Sequence, residues 1–170
     1  MDNQPVFVIG ERPAAMELVR ALAESPTLCA MPANRLLADL VSAADRCRPD
    51  LEALALSDGD GHRPPAGWYR EVQAARTRIT GKARTVEFSG LPVLRLCELF
   101  PSAQFVVVHP LTRAIPPSRR LPALRRGRIL EVDSSSVAGA ATLERVLAFL
   151  GEPAAEVELD LSDRSVPTSS

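Results

Sequence analysis

Apolar and polar positions alternate along this chain in two rhythms. Pro5–Gly10 is a short β-branched run that reads as a strand buried on both faces. Phe105–His109 and Ile129–Val132 have the same character, while Thr27–Met31 and Thr85–Phe88 are shorter candidates for extended structure. Helical spacing fills most of what lies between. Met16, Leu18, Val19 and Leu22 supply a packing face for a helix over Pro13–Ala23, which Ser25-Pro26 ends. Leu36, Leu37, Leu40 and Val41 form the stripe of a second helix, from about Ala33 to Arg46. Further helices are expected over Gly67–Thr80, Leu91–Leu99 and Ala138–Leu150, the last closed by Gly151 and Pro153. Leu51–Leu56 fits a short helix or a strand equally well. A short helix is also expected at Ser118–Arg126.

Buried strands separated by helices predict an α/β fold: a three-layer parallel sheet with flanking helices. Ligands of such sheets bind at the carboxyl ends of the strands, which here are Gly10–Arg12, His109–Arg113 and Asp133–Ser136. A length of 170 residues suits one compact domain, taken as residues 1–161, with a flexible Ser-rich tail over 162–170.

Composition narrows the class. Hydrophobic residues make up 46% and charged residues 24%, the balance of a globular protein, and no run approaches the length of a membrane span. Met1-Asp2-Asn3-Gln4 has no basic region and does not read as a secretory signal. Cys29, Cys47 and Cys97 lack metal-ligand spacing and read as small buried hydrophobes in a reducing cytoplasm. The Asp-Gly-Asp-Gly loop at 58–61 lacks the spaced glutamate of a calcium site and reads as a turn, so no metal is expected.

Charge is unevenly placed. Phe100–Leu130 holds no acidic residue but carries Arg113, Arg119, Arg120, Arg125, Arg126 and Arg128. This basic segment follows a predicted strand end, so it is either a solvated loop or an anion site. Aromatic content of 4% offers no stacking pattern, so nucleic acid is not expected as a partner.

The first strand–turn–helix has the layout of a phosphate-binding loop but few of its donors. Pro13 has no N–H, and Ala14, Ala15 and Met16 add no side-chain donor. Glu11 and Glu17 place negative charge at the helix start, leaving Arg12 to face an anion.

In order and spacing these segments resemble the PAPS-dependent sulfotransferase family. The resemblance rests on Phe7-Val8-Ile9-Gly10, on Ala23-Glu24-Ser25-Pro26 before Pro32-Ala33-Asn34-Arg35-Leu36-Leu37, and on Leu96–Phe105, which contains Leu-Phe-Pro-x-Ala-x-Phe. It ends with Gly127–Val132 and the Phe-Leu-Gly-x-Pro at Phe149–Pro153. It implies a P-loop nucleotide-kinase-like fold, PAPS as cofactor, and sulfuryl transfer to a hydroxyl or amine. The chain is short for that family, mainly in the middle, where acceptor-binding elements would lie.

Carried over by position, the resemblance implies cofactor contacts at Gly10, Arg113 and Ser118, with Arg12 as a substitute cation. The family's other residues are replaced. Its loop arginine falls at Pro13, its glycine at Ala15, and its two threonines at Met16 and Glu17. The arginine that would grip the ribose phosphate falls at Pro110, and the general-base glutamate at about Ala33. His109 is the one histidine beside this site and could act as base or be a structural strand-end residue. The nominal reading is therefore a sulfotransferase with its cofactor loop and base largely lost. The alternative is a non-catalytic protein of that fold, binding a partner protein or another anionic ligand such as a nucleotide. A second copy of the chain could complete the site. Asp39 and Asp45 read as solvated charges, and Ser134–Ser136 as a turn.

Overall fold

A computed structural model describes residues 4–31, 35–53, 64–110 and 128–153. The element order is β1 (Val6–Gly10), α1 (Arg12–Ala23), β2 (Leu28–Ala30), α2 (Leu36–Ala53) and α3 (Pro64–Thr80). Then come β3 (Arg84–Phe88), α4 (Val93–Leu99), β4 (Gln104–His109), β5 (Ile129–Asp133) and α5 (Ala140–Leu150). The strands form one sheet in the order β2-β3-β1-β4-β5, and every pairing is parallel. This is an α/β fold with helices on both faces, as the alternating pattern predicts.

Which face each helix covers follows from the direction the chain travels. From β1 it moves past β3 to β2, and α1 lies on one face. From β2 to β3, and then from β3 to β4, it moves the other way. Right-handed crossovers place a reversed connection on the opposite face, and α2, α3 and α4 do lie there. α5 returns to the face of α1.

Two apolar layers result. Val6 and Val8 pack with Leu18, Val19 and Leu22 of α1 and with Val146, Leu147 and Leu150 of α5. Phe7 points the other way, as strand alternation requires, into Phe100, Phe105, Tyr69, Leu37 and Leu96. The Phe7 ring sits 5.0 Å from Phe100 and 5.9 Å from Phe105, centroid to centroid.

The amino-terminal edge of the sheet is tied by Arg84. Its guanidinium donates to the carbonyls of Gln4 and Leu150, both at 2.9 Å, and to Glu152 at 3.0 Å. At the far end of α5, Gly151 takes φ of +71° and its N–H returns to Ala148 O, a left-handed stop that suits glycine.

Some boundaries shift. α3 begins at Pro64, because two prolines fit a first turn whose N–H groups need no helical partner. α2 runs through Pro49 to Ala53, so the start of the ambiguous Leu51–Leu56 stretch is its last turn. Ser134–Ser136 form a single 3-10 turn, capped where Ser135 N–H donates to Asp133 Oδ1 at 2.9 Å. Cys29 and Cys97 are buried, but Cys47 is exposed on α2, against the expectation for all three. The 58–61 turn, the helix expected over 118–126 and the tail at 162–170 lie outside the described residues.

Among the described residues no helix is long and apolar enough to cross a membrane. Among the same described residues, no group of three or more histidine, cysteine or acidic side chains is placed to hold a metal.

Candidate functional site

Among the described residues, two clefts open at the carboxyl edge of the sheet. The first, of about 550 Å³, lies between the ends of β1 and β4 and is lined by Gly10, Glu11, Val93, His109 and Pro110 among others. It brings together Gly10, His109 and Pro110. Arg113 and Ser118 lie outside the described residues, as does Ala33.

The loop above this cleft is one residue long. β1 ends at Gly10 and α1 starts at Arg12, with Glu11 as its N-cap residue and no side-chain cap. The Glu11 N–H donates to Val108 O at 3.1 Å, and the Ala15 N–H to Glu11 O at 2.9 Å. Pro13 has no N–H. At most the N–H groups of Arg12 and Ala14 remain to meet a ligand at this turn.

Gly10 has its own structural cause. Its φ is +122°, and a Cβ built there would fall 1.9 Å from Val108 O. Only glycine lets β4 pass this close.

His109 is buried at the end of β4, with both ring nitrogens facing acceptors. Nε2 lies 3.3 Å from Glu131 Oε2, and Nδ1 lies 3.2 Å from Pro110 O. Both nitrogens are thus engaged with protein oxygens.

The second cleft, of about 450 Å³, lies at the carboxyl end of β3, between Arg12 of the first turn of α1 and the start of α2. Arg12 belongs here rather than beside Gly10 and His109: its guanidinium carbon stands 6.0 Å from the centre of the Phe88 ring. Arg35, Asp39, Ser42 and Ser89 line the same space, and Glu87 and Tyr69 lie in its wall. Asp39, read from sequence as a solvated charge, is thus exposed at a cleft mouth. Asp45 instead pairs with Arg95 across 2.6 Å.

Glu87 is the residue that sequence reading passed over. It pairs in register with Phe7, on the face of the sheet filled by aromatic rings, and is 4% exposed. Tyr69 OH donates to Glu87 Oε2, and Gln73 Nε2 donates to Oε1 at 3.3 Å. Burial raises its pKa to about 7, against the downward pull of both hydrogen bonds. Burial, with the nearby carboxylate, likewise drives the Tyr69 hydroxyl far above its ordinary value, so it remains a donor. A carboxyl poised near neutrality in the lining of a cleft can exchange a proton or receive a cation.

One signal for Glu87 was present in the sequence. In Arg84-Thr85-Val86-Glu87-Phe88, Thr85 and Glu87 share the alternate positions of a strand expected to be buried on both faces. An acid at a position that must be covered needs partners, and the helix before it carries Tyr69 and Gln73 four residues apart.

No family model, curated protein or solved structure matches this chain.

Proposed function

We propose that this is a sulfotransferase-like protein with a degenerate cofactor site, a non-catalytic relative that binds an anionic ligand or a partner protein. The fold class is compatible with that likeness, as is the approach of β1 and β4 at the carboxyl edge.

One observation carries the loss of PAPS chemistry: the one-residue turn whose Glu11 N–H is committed to Val108 O. Sulfuryl transfer needs several donors trained on the sulfonate and the leaving phosphate, and each lost donor costs about 10²–10³ in rate. This turn offers two backbone donors at most, and both ring nitrogens of His109 are engaged with Pro110 O and Glu131.

Titration calorimetry with adenosine 3′,5′-bisphosphate tests the reading. The expected result is a Kd no tighter than ~1 mM, worth about 4 kcal/mol. A micromolar Kd that Arg113→Ala abolishes would overturn the loss of the cofactor site and support sulfuryl transfer from PAPS to a hydroxyl or amine instead.

A further inference from the structure

Parallel α/β sheets bind ligands where neighbouring strands send their following helices to opposite faces, because the two connections part and leave a crevice. β1 and β3 are such neighbours. α1 leaves β1 toward one face and α4 leaves β3 toward the other, while α2 and α3 share the face of α4. The 450 Å³ cleft opens at this point, lined by Glu87, Phe88 and Ser89 from β3 and its end and by Arg12 from the first turn after β1.

Its side chains have a definite character. Two guanidiniums, Arg12 and Arg35, stand at the mouth, and neither has an ion pair with a described carboxylate. Two acids answer them, Asp39 at the mouth and Glu87 in the wall. The Ser42 and Ser89 hydroxyls lie in the lining between these charges. A simple anion would meet Asp39 and Glu87 as well as the arginines, and a simple cation would meet the arginines. A molecule carrying both charges can answer all four.

Glu87 keeps capacity for such a ligand. Each carboxylate oxygen accepts two hydrogen bonds, and Tyr69 and Gln73 use one on each. Ser89 is buried at the end of β3, and its Oγ already accepts the Leu91 N–H at 3.3 Å, which fixes the backbone beside Glu87.

We propose that the crevice at the carboxyl end of β3, between the first turns of α1 and α2, is a binding site for a small zwitterion. Arg12 and Arg35 hold its anionic group, and Glu87 with Asp39 receives its ammonium. The site does not depend on the sulfotransferase likeness, because it uses none of the residues that the likeness assigns except Arg12. Binding couples to ionisation of Glu87. An ammonium favours the carboxylate, so the ligand displaces the proton that burial otherwise keeps on this group. The charged and titratable groups around Glu87 are Tyr69 of α3, Arg12 of α1, and Arg35 and Asp39 at the start of α2.

The test is a ¹⁵N-resolved NMR titration of the full chain with taurine, β-alanine and O-phosphoethanolamine. Ethanesulfonate and ethylamine serve as one-charge controls. The expected result is saturable shifts at Arg12, Phe88, Ser89 and Gly90 with at least one zwitterion, and much weaker binding of either control. Neither charge of taurine titrates between pH 6 and 8, so pH dependence in its binding reports the protein. Ionisation of Glu87 about a midpoint near 7 makes wild-type affinity rise about tenfold over that range. Glu87→Gln, an isosteric change, should abolish the rise and weaken binding, and Arg12→Ala should weaken binding at every pH. The absence of shifts with all three zwitterions overturns the proposal. So does ethanesulfonate binding as tightly as taurine, or a pH dependence that survives Glu87→Gln. A micromolar adenosine bisphosphate complex would refute the reading of the β1–α1 turn and leave this site standing, so the two failures are distinguishable.

Discussion

Replacing Glu87 by glutamine tests the buried carboxyl without any ligand. In the unfolded chain this group titrates at an ordinary 4.5, and in the fold at about 7. At about 1.4 kcal/mol per pH unit, that difference amounts to about 3 kcal/mol. The sign follows from which state holds the proton more tightly. The folded chain does, so the stabilisation is present in full below 4.5 and is lost as pH rises through 7. Because the side chain is only 4% exposed, solvent screening takes little from this figure. Glutamine stands in for the protonated acid at every pH: its carbonyl accepts from Tyr69, and a flipped Gln73 amide accepts from its NH₂. The variant should therefore gain about 2–3 kcal/mol relative to wild type between pH 5 and pH 8. Urea unfolding followed by far-UV circular dichroism measures this directly. The lone tryptophan is a poor reporter, since Trp68 is 64% exposed in the folded chain. Other titrating groups cancel in the comparison. If the two proteins change in parallel within ~0.5 kcal/mol, Glu87 does not titrate in this window and the reasoning fails.

Two further outcomes follow from single contacts. Tyr69→Phe removes a hydrogen bond that lowers the Glu87 pKa; the carboxyl carbon should then titrate above 7 by ¹³C NMR, and stability at pH 8 should fall by about 1.5–3 kcal/mol. Gly10→Ala sets a Cβ against Val108 O at a φ of +122°; it should cost ~4 kcal/mol or more, or prevent folding, as urea unfolding or loss of the folded NMR spectrum would show.

The fold was legible because its signals are local. Val6, Val8, Val106 and Val108 sit in unbroken apolar runs, which only a strand covered on both faces tolerates. The stripe from Met16 to Leu22 gave α1 within one residue of its observed start. Tyr69 and Trp68 were seen as neighbours, but only the packed structure sends Tyr69 inward at 1% exposure and Trp68 outward. The site was harder to read because it is made across elements. Gly10 suggested a phosphate turn, since glycine there serves either a ligand or a crossing strand, and sequence alone does not separate the two. Arg12 was expected beside Gly10, but the first turn of α1 carries its side chain over Phe88, toward β3. Glu87 gains meaning only from Phe7, Tyr69 and Gln73, which lie 80, 18 and 14 positions away in the chain.

The place of Glu87 argues that it does more than fill the core. Beside Phe7 on a fully covered face, a valine or leucine would satisfy the strand and need no partner. The carboxyl instead requires two dedicated donors and still forgoes about 3 kcal/mol of stability at neutral pH relative to a neutral side chain. That is a large share of the 5–15 kcal/mol by which a domain of this size is usually stable. Buried ionisable groups of this kind are commonly replaced by apolar ones at no loss of stability. Glu87 lies where the helices of β1 and β3 part company, in a cleft that Arg12 and Arg35 also line. A ligand that turns its proton-binding into binding energy gives such a residue a use that packing does not.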